Sequence, residues 1–215
     1  MVQSSEGELS TLMAPIATDG SLGAWRSTTP LPAPRHNIGA ATVVLNDVVY
    51  LVGGTDKIDD GQRHTTILMN RPRAGGDLGD WTVAATFPRT GLSFTAAFAT
   101  PGWLHIVGGV TSERQLTPAT WSVEVKADGQ LGQWHEGPAL PRALWYHSAG
   151  VAGGNAYIFG GLETYPNPNL YSTAVYRAPL LGDGRMGPWQ VAGSMPEPFY
   201  AGVPSSMGPY LMSFL

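Results

Sequence analysis

The chain contains no cysteine, which excludes disulfide bonds and cysteine-ligated zinc sites. Charged residues make up only 13% of its 215 residues, about half of the usual quarter. The 12 Lys and Arg residues are scattered and outnumbered by 16 Asp and Glu residues, which argues against a nucleic-acid partner. No apolar run approaches the roughly 18 residues of a membrane span, and no signal peptide is visible, so we expect a water-soluble chain.

Glycine and proline are abundant instead, with 28 and 18 residues, and hydrophobic residues make up 43% of the chain. That hydrophobic content is too high for a disordered chain. Frequent glycine and proline therefore separate many short apolar elements. This composition is typical of an all-β protein with many turns.

Two short phrases recur along the whole chain. The first ends in tryptophan and occurs as "DGSLGAW" (19–25), "GGDLGDW" (75–81), "DGQLGQW" (128–134) and "DGRMGPW" (183–189), with its tryptophans 56, 53 and 55 residues apart. The second ends in two glycines and occurs as "VVYLVGG" (48–54), "WLHIVGG" (103–109) and "NAYIFGG" (155–161). A fourth copy of it, expected at 208–214, lacks the glycine pair. A period of this length indicates stacked supersecondary units.

Each period contains four strand-like segments. In the first complete period these are 38–45, 48–54, 65–73 and 81–88. The first two are continuous apolar runs joined by a two-residue turn, so we expect inner strands buried on both faces. The other two are more polar, which is typical of outer strands. Four antiparallel strands per repeat, stacked around an axis, predict a β-propeller blade.

The glycine pair that closes the second strand, the spaced tryptophan of the fourth strand and the following proline resemble the kelch repeat. The resemblance covers essentially the whole chain and rests on three glycine pairs and four tryptophans: Gly53–Gly54, Gly108–Gly109, Gly160–Gly161, Trp25, Trp81, Trp134 and Trp189. It implies a β-propeller. Kelch propellers most often serve as protein-binding scaffolds, while some are oxidases, sugar isomerases or iron-dependent specifier enzymes.

We expect one domain over residues 1–215, with repeat units at approximately 10–31, 36–88, 92–141, 146–196 and 199–215. The first and last units contain complementary halves of a blade. One alternative is a small ring of four blades, closed when both ends pair into a shared terminal blade. The other is part of a larger propeller, which would be a homodimer half or a fragment without independent function.

The resemblance implies that ligands bind loops gathered at the mouth of the propeller channel, here 55–64, 110–118 and 162–171, and the segments that open each blade. Their polar and aromatic side chains suit a protein or carbohydrate ligand. The candidate ligand-binding residues are Arg35, His36, Asp56, Glu113, Arg142, Trp145, Tyr146, His147, Glu163 and Tyr165. No metal site and no cofactor is expected.

Several of these residues also have structural interpretations. Asp56 precedes further acidic residues as in a calcium loop, but the alternating ligand pattern is absent and a solvated loop is favoured. His36 and His147 occupy similar places in their repeats, which favours a shared structural hydrogen bond over a metal pair. Trp145 and Tyr146 would either stack on a sugar or fill the channel.

Three further positions are assigned to the scaffold. The arginines that follow the repeated prolines, Arg35, Arg89 and Arg142, are expected to form hydrogen bonds between blades. Asp19 is expected to stabilise the turn of the first phrase. Trp25 is expected to seal one blade against the next.

These features favour a non-enzymatic scaffold that binds a protein or a glycan. The alternative is a sugar-handling enzyme of the mutarotase or isomerase kind that uses Arg142, His147 and Glu163. The kelch-type copper oxidases need a tyrosine–cysteine crosslink, which a chain without cysteine cannot form.

Overall fold

A computed structural model of the chain describes residues 9–38, 41–58, 61–74, 76–202, 204–207 and 210–213, with side chains up to residue 202. Its regular elements are β-strands arranged in antiparallel sheets. The all-β prediction, with four-stranded blades, is confirmed.

Three sheets are complete blades in which neighbouring strands follow chain order. Blade 1 consists of β3 (Thr42–Leu45), β4 (Val48–Val52), β5 (Thr66–Asn70) and β6 (Thr82–Thr86). Blade 2 consists of β8 (Ala96–Thr100), β9 (Trp103–Val107), β11 (Thr120–Val125) and β12 (Leu131–Gly137). Blade 3 consists of β13 (Ser148–Ala152), β14 (Asn155–Phe159), β15 (Ala174–Pro179) and β16 (Gln190–Ser194).

Local sequence explains the first hairpin of blade 1. Leu45 pairs with Val48, and the two residues between them, Asn46 and Asp47, have φ angles of 52° and 59°. Positive φ at both central positions defines the hairpin turn that Asn and Asp tolerate best. The predicted two-residue turn is therefore confirmed, and it fixes which side chains of β3 and β4 face the core.

Burial falls from the second strand of a blade to the fourth. β9 is almost entirely buried, whereas every residue of β16 is exposed. The third strands β5 and β11 are buried more fully than their mixed sequences predicted, because neighbouring sheets pack against both sides of blades 1 and 2. One apolar cluster joins blades 1 and 2, and another joins blades 2 and 3.

Three two-stranded sheets complete the fold. β1 (Thr11–Met13) pairs with β2 (Arg26–Thr28) beside blade 1, and β17 (Pro204–Met207) pairs with β18 (Tyr210–Ser213) beside blade 3. β7 (Leu92–Ser93) pairs with β10 (Val110–Thr111) at the loop end of blade 2. Of the two alternatives for the chain ends, a shared terminal blade is not observed, because within the described residues β1–β2 and β17–β18 are separate sheets.

The glycine pairs join each blade to the next. Both glycines of every pair have positive φ angles, from 60° to 100°. The N–H of the second glycine donates to a carbonyl in the segment that opens the following blade. These bonds run from Gly54 to Leu92 (2.8 Å), from Gly109 to Leu144 (2.8 Å) and from Gly161 to Phe199 (2.6 Å). The repeated phrase therefore forms the seam between blades.

A second set of bonds follows the seam. One residue in each opening segment has a positive φ angle: Asn37, Phe94, Tyr146 and Ala201. The N–H groups of the last three each donate to the carbonyl of the counterpart one blade earlier, Phe94 to Asn37 at 2.9 Å, Tyr146 to Phe94 at 3.3 Å and Ala201 to Tyr146 at 2.8 Å. We call these four residues the ladder.

Three of the four repeated tryptophans pack against the preceding blade. The indole N–H of Trp81 donates to the Thr29 carbonyl (3.3 Å), the ring of Trp134 lies 5.6 Å from that of Phe87, and Trp189 is buried in a cluster between blades 2 and 3. Trp25 is 65% exposed, so the prediction that it seals a seam is wrong here. Among the described residues, no blade precedes β1–β2 against which Trp25 could pack.

The predicted role of Asp19 is confirmed. Its carboxylate accepts a hydrogen bond from the Ser21 N–H (2.9 Å). Asp128 and Asp183 accept the equivalent bonds, at 2.9 and 3.1 Å. These bonds hold the turn that links the third and fourth strands of a blade.

A hydrogen bond from Tyr50 connects blade 1 to the equivalent turn of blade 2. Its buried hydroxyl donates to the Gly129 carbonyl (2.7 Å) in the turn of blade 2. Tyr50→Phe is expected to lower the free energy of unfolding by about 1–2 kcal/mol, because a buried carbonyl loses its donor. Urea unfolding measures the change. Tyr157→Phe is the control, because its hydroxyl makes no hydrogen bond within the described residues, and an equal loss there would contradict the assignment.

Candidate functional site

The loop face is the surface formed by residues 53–58, 61–65, 108–119 and 160–173 and by the segments that open each blade. The residue after each glycine pair holds its loop to the opening segment. Thr55 exchanges backbone hydrogen bonds with His36 (2.7 and 2.8 Å), and Leu162 exchanges them with Trp145 (2.9 and 3.1 Å). In blade 2 the pairing of β10 with β7 makes the equivalent connection between the loop and the opening segment. The loops are therefore anchored at both ends.

An aromatic cluster occupies the loop face above blades 2 and 3. The ring of Phe94 lies 5.1 Å from Trp145 and 4.6 Å from Tyr146, both edge-to-face. Trp145 also meets Tyr165 edge-to-face at 5.0 Å, and its indole N–H donates to the Thr164 carbonyl (2.8 Å). Edge-to-face pairs are the geometry that aromatic rings prefer. The cluster therefore gives the face a well-packed base.

Arg63 connects two loops that are distant in sequence. From the loop of blade 1 it donates to the Tyr165 hydroxyl in the loop of blade 3 (2.5 Å), and its guanidinium carbon lies 5.7 Å from the centre of the same ring. It also donates to the Ser93 hydroxyl (3.3 Å) and to the Gly61 carbonyl (3.3 Å). The buried Arg63 side chain therefore ties the loops of blades 1 and 3 to the segment that opens blade 2.

Exposed tyrosines extend this cluster towards solvent. Tyr171 and Tyr200 are 43% and 51% exposed, with ring centres 5.6 Å apart. Tyr200 also lies 6.5 Å from Tyr146, and burial together with the neighbouring Tyr200 raises the pKa of Tyr146. We call Tyr146, Tyr165, Tyr171 and Tyr200 the tyrosine patch. All four carry phenolic hydroxyls that can donate or accept hydrogen bonds.

Five of the predicted ligand-binding residues come together here. Trp145, Tyr146 and Tyr165 share the aromatic cluster. Arg142 and Glu163 form a pair beside it, with 3.8 Å between the guanidinium and carboxylate groups. The Arg142 side chain is mostly exposed, whereas Glu163 is largely buried, so the guanidinium is the charged group offered to a ligand.

Two predicted residues are absent from the surface. His147 is only 2% exposed and its Nε2 bonds to the Val107 carbonyl of blade 2 (3.0 Å), while burial lowers its pKa to about 4. Arg35 is buried and donates to the Gly53 carbonyl (2.6 Å) and to Thr66. Its bonds lie inside blade 1, so the predicted inter-blade role of Arg35 is wrong.

The proposed equivalence of His36 and His147 is also wrong. His36 precedes the ladder residue of its blade, Asn37, whereas His147 follows the ladder residue Tyr146. Arg35 lies two residues before its ladder residue but Arg142 lies four before its own. An alignment of blades 1 and 3 on these arginines is therefore out of register by two residues. The place of His36 is taken by Trp145 in blade 3.

The remaining candidates lie elsewhere on the loop face. Asp56 is partly buried and its N–H donates to the Gln62 carbonyl (3.1 Å). Glu113 is exposed at the tip of the blade 2 loop. Across the described residues, no three acidic or histidine side chains are grouped as a metal site would require. None of the described elements is a helix long and apolar enough to cross a membrane.

The sequence interpretation missed three contributors, Arg63, Phe94 and Tyr200. Phe94 and Tyr146 occupy the same ladder position in successive blades, so aligning the glycine pairs with their opening segments could have identified Phe94. No local signal marks Arg63, because its partner Tyr165 lies 102 residues away.

Stacked four-stranded antiparallel blades joined by repeated glycine seams define a β-propeller protein. The solved structure of YjhT has this architecture at a TM-score of 0.70 and 15% identity, over 93% of this chain and 71% of that chain. Kelch-like protein 33 from Homo sapiens is 30% identical over 138 residues, which cover 64% of this chain and 24% of that protein. Beta-scruin from Limulus polyphemus is 24% identical over 151 residues, covering 69% of this chain and 16% of that protein.

The predicted resemblance to the kelch-repeat proteins is confirmed, because the curated relatives that match the chain include a kelch-like protein. No protein-family model matches it. The aligned region spans a quarter or less of each of these two curated relatives.

Proposed function

We propose that the chain is a non-enzymatic binding protein that recognises a protein partner through the tyrosine patch. The observation that carries the proposal is the exposure of Tyr171 and Tyr200 on an anchored aromatic base. Tyrosine offers a large contact area at a small loss of side-chain entropy. Tyrosine, tryptophan and arginine also dominate the energetics of protein interfaces, and Arg142 supplies an exposed guanidinium next to Glu163 of the blade 3 loop.

One of the three residues assigned to the alternative sugar-handling enzyme is not on the loop face. Arg142 and Glu163 lie close together, but His147 is buried in the seam and its Nε2 is bonded to a backbone carbonyl. A general acid or base must reach the proton that it transfers, and His147 does not reach the loop face. This placement favours binding over turnover of a sugar.

Selection from a random peptide library displayed on phage tests the proposal. Peptides selected on the wild-type chain are expected to bind the double variant Tyr171→Ala/Tyr200→Ala about 30-fold more weakly. Truncating an interface tyrosine typically removes more than 1 kcal/mol of binding free energy, and 2 kcal/mol corresponds to about this factor. Fluorescence polarisation with the labelled peptides measures the affinities.

Trp25→Ala is the matched control, because Trp25 is more exposed than either tyrosine and lies at the opposite end of the chain. It is expected to leave peptide binding unchanged. A glycan array and a panel of sugars are tested in parallel with the same variants. Selective glycan binding, sugar turnover, or peptides that bind the double variant with full affinity would overturn the proposal.

A further inference from the structure

A separate cavity opens between blades 1 and 2 on the loop face. Its volume is about 310 Å³, which lies at the small end of the range for ligand pockets, roughly 300–1,000 Å³. Such a volume suits one side chain better than a whole cofactor. We call it the seam pocket; the lining residues used below are Phe87, Arg89, Thr90, Leu92, Glu113 and Trp121.

The inner wall of the seam pocket is apolar. Phe87 and Leu92 are buried members of the cluster that joins blades 1 and 2. Trp121 packs against the same cluster and meets Trp134 edge-to-face at 6.1 Å. This wall is held by both blades, so it is formed before any ligand arrives. It offers contact to methylene groups, since burying each of them contributes about 0.8 kcal/mol.

The rim of the seam pocket carries an oriented carboxylate. Glu113 accepts a hydrogen bond from the Thr90 hydroxyl (3.0 Å). Its own N–H and the hydroxyls of Thr111 and Thr90 lower its pKa, so the group is ionised at neutral pH. Within the described part of the chain, Glu113 forms no ion pair with a Lys, Arg or His side chain.

The basic group at the rim is already compensated. Arg89 donates to the Glu136 carboxylate at 2.9 Å, and its guanidinium carbon lies 5.6 Å from the centre of the Trp121 ring. Arg89 is therefore paired with a carboxylate outside the lining, and Glu113 is the charged lining residue without an ion pair among the described residues. Since Arg89 lies over Trp121, a flat sugar ring has less access to that aromatic face.

We propose that the seam pocket binds a lysine or arginine side chain of the partner, with its methylene groups on the apolar wall and its cation on Glu113. The inference rests on the proposed function, because it assigns partner chemistry to the same loop face. Leu92 in the pocket and Phe94 beneath the tyrosine patch are two residues apart, about 7 Å along an extended chain. One partner segment can therefore reach both.

The direct test needs no identified partner. The ¹⁵N-labelled chain is titrated with acetyl-Gly-Lys-Gly-amide and with its norleucine counterpart, and NMR follows the amides of Thr90, Ser112 and Glu113 and the Trp121 indole. The lysine peptide is expected to bind about three- to fivefold more tightly, which is the effect of one exposed ion pair. Glu113→Gln is expected to remove that preference, and 0.5 M NaCl to reduce it.

Glu124→Gln is the control, because Glu124 is an exposed glutamate of β11 outside the seam pocket. Equal binding of the lysine and norleucine peptides, an unchanged preference in Glu113→Gln, or tighter binding of acetyl-Gly-Glu-Gly-amide would overturn the inference. If selected peptides need the tyrosine patch while Glu113→Gln has no effect, this inference fails and the proposed function stands. If the lysine peptide binds in a Glu113-dependent manner but no selected peptide needs the tyrosine patch, the proposed function fails and the lysine site in the seam pocket stands.

Discussion

Gly53→Ala is expected to lower the free energy of unfolding by about 4 kcal/mol. Gly53 has a φ angle of 60°, and a Cβ atom there would lie 2.1 Å from the Leu92 carbonyl oxygen. An L-residue in this conformation loses about 1–2 kcal/mol, and overpacking of a tight contact adds about 1–3 kcal/mol. The same carbonyl accepts the seam bond from Gly54, so its displacement also weakens that bond.

Gly153→Ala separates these contributions. Gly153 has a similar φ angle of 54°, but a Cβ atom there would meet nothing within 4 Å. This variant is expected to lose only the conformational part, about 1–2 kcal/mol. Urea unfolding of the two variants measures the difference. Equal losses would show that the seam tolerates a methyl group and would contradict its role in joining the blades.

Lowering the pH from 7.5 to 5 is expected to remove about 4 kcal/mol of stability through two buried histidines. Burial lowers the pKa of both His105 and His147 to about 4, below the value of about 6.5 for an unfolded chain. The unfolded state therefore binds protons more readily. The contribution of these two histidines to the free energy of unfolding is fully present above about pH 7. It is lost as the pH drops from 6.5 towards 4.

The other groups with shifted pKa values are consistent with a loss of stability between pH 7.5 and 5 that comes mainly from histidines. Burial also lowers the pKa of His64, which adds to the loss in the same direction. Hydrogen bonds from the Ser21 hydroxyl and N–H lower the pKa of Asp19, and hydrogen bonds from the Arg185 guanidinium and N–H lower the pKa of Asp183. Their contributions disappear only below the ordinary carboxylate range near pH 4, so the change between pH 7.5 and 5 reports mainly on histidines.

His147→Gln tests the assignment. Glutamine can donate a hydrogen bond to the Val107 carbonyl but does not titrate, so the loss between pH 7.5 and 5 is expected to shrink by about 2 kcal/mol. Urea unfolding at several pH values measures it. His135→Gln, at a partly exposed position of β12, serves as the control. An unchanged pH dependence in His147→Gln would contradict the buried, neutral histidine.

The blades could be predicted because their determinants are local and repeated. Gly53 and Gly54 combine positive φ angles with no room for a Cβ atom, a combination that requires glycine, and the same requirement returns in every blade. The turn bond of Asp19 spans two residues. Short-range chemistry of this kind is visible in a single sequence, and its repetition separates it from chance.

The candidate site was less predictable, because its contacts cross blades and its register varies. Arg142 stands four residues before a ladder residue and Arg35 only two. The same Pro-Arg dipeptide therefore contains an exposed arginine in blade 3 and a buried arginine in blade 1. The bond between Arg63 and Tyr165 joins two loops over the intervening blade. Such a contact depends on how the blades stack, which no local pattern encodes.

The ladder separates the chemistry of the loop face from the stability of the scaffold. Its bonds use only backbone groups, yet the four positions carry an amide, a phenyl ring, a phenol and a methyl group, in Asn37, Phe94, Tyr146 and Ala201. The backbone conformation is thus the same whatever side chain stands there. Each blade added to such a propeller offers one further position whose identity can vary with the ligand, while the hydrogen bond that holds it does not change.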